Sequence, residues 1–149
     1  MASRLSLPGR RIVALAACLL LAGVAAGCGT ATKVGAGGEV VNVTERDFVI
    51  KASPNRLSAG LVVFHALNRG PDEHELIVVR ARDPKLMLRT DGMTVSEEGL
   101  KSSIVGTLEP GKPGSVRELR VNLKPGRYVL ICNMSGHYMG GMHTVVTVQ

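Results

Sequence analysis

The stretch Cys132-Asn-Met-Ser-Gly-His137-Tyr-Met-Gly-Gly-Met142 constrains this chain more than any other segment. It lies between two β-patterned runs, residues 128–131 and 144–148, and so reads as one loop joining two neighbouring strands. A thiol, an imidazole and a thioether recur in it at equal spacing, Cys-x4-His-x4-Met. Cys132 directly follows one strand, and Met142 comes just before the next. Groups placed at strand ends are held more rigidly than groups in mid-loop. The three are soft and borderline donors, the kind that a soft metal ion selects.

A second imidazole would complete a His₂Cys set with a weak axial Met, which is a copper arrangement. His74 is the candidate, in Asn68-Arg-Gly-Pro-Asp-Glu-His74-Glu-Leu-Ile-Val-Val79, where it starts a strand far upstream. Zinc fits less well, because a structural zinc site wants four strong ligands and Met is a poor one. Among the loop methionines, Met139 competes with Met142 for the axial position, while Met134 reads as packing. His143 adjoins Met142, and adjacent strand residues face opposite sides, so His143 is expected to point away from the metal. His65 lies mid-strand, a surface or core histidine. Ordinary packing is the competing account of His74, Cys132 and His137.

The rest of the pattern is mostly β. Val41, Val43, Phe48 and Ile50 alternate with polar residues as one half-buried strand. Residues 61–67, 75–79, 116–123, 128–131 and 144–148 supply further strands, with turn signals at Pro54-Asn55, Ala59-Gly60 and Lys124-Pro125-Gly126. Many short strands separated by turns predict an all-β antiparallel sandwich. The apolar run 75–79 is nearly continuous, which suggests a core position. Residues 83–107 break the pattern and read as a long crossover insertion between the halves of the sandwich, with a short helix starting at Ser96.

The first residues read as a targeting segment. Arg4, Arg10 and Arg11 precede a mostly apolar run, residues 12–26, of secretory length. That run is short for a membrane span, which takes about 20 apolar residues. It ends in Ala25-Ala26-Gly27-Cys28, which resembles the lipobox of bacterial lipoproteins, although Ala25 stands where Leu is usual. The resemblance implies lipidation at Cys28. Leu15-Ala16-Ala17-Cys18 fits that pattern better but leaves too short an apolar run before it. A plain signal peptide with an incidental Cys28 is the alternative, and Arg10-Arg11 also permits twin-arginine export. The expected division is a signal peptide over 1–27, a lipidated Cys28 with a glycine-rich tether over 28–38, and one domain over 39–149. Of the three cysteines, Cys18 would then be removed and Cys28 lipidated. Cys132 would be left as a lone thiol in an oxidising compartment, where metal ligation or burial must protect it.

With these residues in place, the domain resembles the cupredoxins, the family of plastocyanin, azurin and rusticyanin. The Cys-x4-His-x4-Met spacing is most similar to rusticyanin and sulfocyanin. The resemblance implies a Greek-key β-sandwich with a mononuclear type 1 copper site at one end. His74, Cys132 and His137 would be its strong ligands and Met142 its weak axial one. It also implies one-electron transfer through the edge of His137, with Tyr138, Met134, Met139 and the flanking glycines as an apolar docking patch for redox partner proteins. Glu75 departs from the family pattern, since Asn follows the first His in plastocyanin and azurin. Its backbone N–H is still expected to face the Cys132 sulfur, but its charge would alter the centre's surroundings.

Together these features place a monomeric electron carrier at the extracytoplasmic membrane surface, lipid-anchored, with no small-molecule substrate. Copper delivery, scavenging or resistance is the alternative, favoured by the extra methionines. Multicopper enzymes are disfavoured, because Ile131 and Asn133 rather than His flank Cys132 and the chain has only 4 histidines. A binuclear copper centre would need a second loop cysteine, and position 136 is Gly. Charge says little: the net +6 falls to +3 without Arg4, Arg10 and Arg11, as 15 basic against 12 acidic side chains remain. No basic stripe interleaved with aromatics is present, so nucleic acid is not an expected partner.

Overall fold

In the computed structural model the described residues are 37–149; the expected signal segment with Cys18, the expected lipidation site Cys28 and nearly all of the expected tether lie outside them. Nine strands and one short helix follow in order: β1 (Glu39–Arg46), β2 (Val49–Ser53), β3 (Arg56–Leu57), β4 (Gly60–Asn68), β5 (His74–Arg80), α1 (Glu97–Leu100), β6 (Ile104–Gly111), β7 (Val116–Leu123), β8 (Gly126–Ile131) and β9 (His143–Val148). They form two sheets, one ordered β2-β1-β4-β7 and the other β3-β9-β8-β5-β6. The chain changes sheet between β2 and β3, β3 and β4, β4 and β5, β6 and β7, and β7 and β8. The expected β-sandwich is therefore present.

Three expectations need correction. The sheets are mixed rather than antiparallel, since β1 pairs with β4, and β3 with β9, in parallel. Each parallel pair is joined by segments that cross through the other sheet, a relation that alternation within one strand does not reveal. The strand expected through Val41 and Ile50 is in fact a hairpin, because Asp47 and Phe48 turn the chain and Phe48 takes φ 61°. Its side chain stands out of the sheet instead of into the core. The insertion is shorter than expected, as β6 already begins at Ile104, and it is not a crossover between the halves of the sandwich, because β6 pairs antiparallel with β5 in the same sheet. It covers the outer face of the five-stranded sheet, with Ser96 capping α1 through its side chain.

That cover explains the continuous apolar run of β5. Leu76 and Val78 join the core between the sheets, whereas Ile77 and Val79 join a second cluster with Leu86 and Val95. Strand β8 divides in the same way, with Tyr128 and Leu130 inside and Val129 and Ile131 under the cover. A period of two decides the faces. His74 shares the parity of Leu76, and Cys132 that of Leu130, so both side chains reach the inner core at the same end of adjacent strands.

Candidate metal centre

β5 and β8 run antiparallel, with Ile77 opposite Ile131, so the start of one lies beside the end of the other. This brings His74 next to Cys132, although 58 positions separate them. The loop then folds back on itself. His137 N–H donates to the Met134 carbonyl at 2.9 Å, and Met142 N–H to the His137 carbonyl at 3.0 Å. Cys132 N–H donates to the Met142 carbonyl at 3.1 Å, which closes the loop where β8 and β9 begin to pair. Gly136 and Gly141 sit at φ 79° and 103°, a region that L side chains rarely enter.

The result is a cluster of three donors. Cys132 Sγ lies 3.5 Å from His137 Nδ1 and 4.0 Å from His74 Nδ1. All three ligand atoms fall within 4.8 Å of one another. The imidazole rings stand 5.2 Å apart at 61°. His74 and Cys132 are fully buried, and His137 is 9% exposed. Met142 is fully buried in the inner core with Cys132, whereas Met139 is 56% exposed. His143 faces the other way, against the Tyr138 ring at 5.3 Å. His65 lies apart, paired with Glu118 at 3.0 Å.

Burial controls the protonation of these groups. It pushes the Cys132 thiol up to about 11, against the pull of the Glu75 and Met134 backbone N–H groups that point at the sulfur. The Glu75 and Glu45 carboxylates push the same way as burial. Burial also lowers His74, helped by the neighbouring His137 and opposed by Asp47 and Asp72. The site thus holds a neutral imidazole and a protonated thiol until a cation displaces the proton.

The surroundings explain the motif around His74. Asn68 Nδ2 donates to the Asp72 carbonyl at 2.8 Å and to the Gly111 carbonyl at 2.7 Å, while its Oδ1 accepts from Gly70 N–H at 2.6 Å. A Cβ on Gly70 would come within 2.5 Å of the Asp72 carbonyl oxygen, so the loop into His74 requires glycine there. The Glu75 side chain accepts from Asn133 N–H at 3.0 Å. Its carboxyl is raised, first by burial and then by the nearby Glu97.

Three contacts were not visible in the sequence. Asp47 Oδ1 stands 3.1 Å from His74 Nε2, too far off the N–H direction for a well-formed hydrogen bond but close enough to steady the ring. Phe48 meets His137 edge to face at 5.6 Å and is itself 50% exposed. Asn133 ties the loop to the cover segment through Val95 and Glu97. The one available hint was the change from odd apolar positions, Val41 and Val43, to even ones, Phe48 and Ile50, which marks the turn carrying Asp47. Tyr138 was expected at the docking surface but is buried. Its hydroxyl donates to the Pro84 carbonyl and accepts from Leu86 N–H at 2.8 Å.

No protein-family model matches this sequence, and no curated protein matches it. Solved structures do. Auracyanin from the photosynthetic bacterium Roseiflexus castenholzii aligns over 76% of this chain and 98% of its own, at 16% identity and a TM-score of 0.59. Auracyanin A from Chloroflexus aurantiacus covers 74% and 98%, at 18% identity and a TM-score of 0.54. Rusticyanin from Thiobacillus ferrooxidans covers 75% and 79%, at 14% identity and a TM-score of 0.54. The fold is the cupredoxin β-sandwich. In this chain it carries a buried His-Cys-His group able to bind a metal ion.

Proposed function

We propose that this protein is a mononuclear type 1 copper protein that carries single electrons. The observation that carries this reading is the convergence of His74 Nδ1, His137 Nδ1 and the Cys132 sulfur. The donor chemistry fits copper: two imidazoles and a thiolate, with the buried thioether of Met142 as the weak fourth ligand. Auracyanin A, of like fold, is described as a "blue" copper protein. When bound, copper supplies the exchange of one electron between Cu(I) and Cu(II).

The chain's residues do the rest. β5, β8 and the closed loop fix the donors, so little rearrangement accompanies a change of charge. The inner core excludes water from the thiol. Of the four donors, His137 alone approaches the surface, with the exposed Phe48 against its ring and the exposed Met139 two positions further along the loop. Those apolar side chains suit a small, short-lived contact with a redox partner protein. The lipobox-like Ala25–Cys28 supports an extracytoplasmic, lipid-anchored position, where the search for such a partner is confined to the membrane surface.

Protein-film voltammetry of the copper-loaded chain tests this. A reversible one-electron wave is expected, lost in Cys132→Ser. An irreversible response, with Cu(I) passing readily to a chelator, would favour copper delivery, the second reading that the exposed Met87, Met93 and Met139 support.

A further inference from the structure

Among the soft and borderline donors outside the buried centre, three share one face of the molecule. Met87, Met139 and His143 line one open groove beside the ligand loop, together with Tyr138 and residues 83–88. Met87 is 61% exposed and Met139 56%. Leaving two large apolar side chains in water forgoes burial free energy.

The groove has a built frame. The Tyr138 hydroxyl bonds to both Pro84 and Leu86, which holds the segment carrying Met87 against the ligand loop. The Tyr138 ring lies against that of His143, which the pairing of Ile131 with His143 fixes at the start of β9. The methyl end of Met87 rests over Gly99, where a Cβ would come within 2.6 Å of it. Asp83 and Lys85, also on the groove, oppose each other in charge.

We propose that Met87, Met139 and His143 form a second, surface site for Cu(I). Two thioethers and an imidazole are uncharged, soft to borderline donors, which favour a monovalent soft cation over zinc or a hard divalent ion. The site answers a need that the buried centre creates, since three of the four residues assigned to that centre are fully buried and the fourth nearly so. The loop carries His137, the one of the four that reaches the surface, and Met139 lies on that loop two positions beyond it, beside the shortest way in for copper that meets the folded chain. Passage inward is a ligand exchange without electron transfer: Cu(I) leaves three neutral donors, the Cys132 S–H bond breaks, the proton goes to solvent and the sulfur takes the cation.

The test is an anaerobic Cu(I) titration of the full chain, labelled at its methionine methyl groups and followed by NMR. The first equivalent should shift the Met142 methyl and the His137 ring. The second should shift the Met87 and Met139 methyls and the His143 ring. Met93, 49% exposed but outside the groove lining, should not move. Met87→Leu and Met139→Leu should each weaken the second equivalent about tenfold against a chromophoric Cu(I) chelator. The first-equivalent shift of Met142 reports that the fold is intact in both variants. The groove site is overturned if no second equivalent binds, if Met93 shifts as much as Met87 and Met139, or if both variants bind the second equivalent as the parent does. A first equivalent that leaves Met142 and His137 unmoved contradicts the buried centre instead.

Discussion

Asn133 is the residue through which the ligand loop and the cover segment hold each other. Its Oδ1 accepts from Val95 N–H at 2.6 Å, and its Nδ2 donates to the Val95 carbonyl at 3.1 Å and to Glu97 at 2.8 Å. Val95 is buried in the outer cluster, where water cannot replace a lost partner. Asn133→Ala therefore orphans a buried donor and a buried acceptor, each costing about 1–3 kcal/mol, for a total of about 2–6 kcal/mol. For a domain of this size that corresponds to a fall in Tm of at least roughly 10 °C. Asn133→Asp keeps Oδ1 but turns an oxygen toward the Val95 carbonyl and Glu97. Its carboxyl would then be raised above the ordinary value of about 4, so the variant is weakest at neutral pH and regains stability as pH falls toward 4. Urea denaturation of the metal-free protein at two pH values measures both effects. A loss below about 0.5 kcal/mol for Asn133→Ala, or an Asn133→Asp variant as stable as the parent at pH 7, would refute the reasoning.

Three further outcomes follow from the same geometry. Met142→Leu should keep the visible colour of the copper-loaded protein and raise its potential by about 50 mV or more, whereas Met139→Leu should shift it by no more than about 10 mV. Voltammetry decides, and the reverse pattern would move the axial assignment to Met139. Gly140→Ala should destabilise the fold by about 1–2 kcal/mol and loosen Phe48 from His137, because a Cβ there would lie 2.2 Å from the Phe48 ring; thermal unfolding and Phe48–His137 nuclear Overhauser contacts report it. Burial lifts the Cys132 thiol to about 11, so the metal-free protein should lose about 2–3 kcal/mol of stability as pH rises from 9 to 11. Cys132→Ser should abolish that loss.

The legible parts of this molecule are those governed by local period. Strands β4, β5, β7, β8 and β9 could be read because apolar residues recur every second position, or continuously where both faces are covered. The continuous run in β5 signalled burial on two sides, although only the fold shows residues 81–103 supplying the second side. The ligand loop could be read because its donors lie close together in sequence, and His74 because it opens a strand. Asp47 and Phe48 escaped notice because their value depends on a hairpin turn reaching across to His74 and His137. The parallel pairing of β1 with β4 was hidden for a related reason, since register between distant strands leaves no mark within either one. Tyr138 was misplaced because a loop aromatic beside a candidate ligand looks exposed until the segment that covers it is known.

The central claim is a copper–thiolate bond at Cys132, held by His74 and His137. The most direct test adds one equivalent of Cu(II) to the purified protein and records visible and electron paramagnetic resonance spectra, with Cys132→Ser alongside. An intense visible thiolate-to-Cu(II) band in the parent, absent from Cys132→Ser, is the predicted result. A colourless parent protein, or a band that survives in Cys132→Ser, would contradict it.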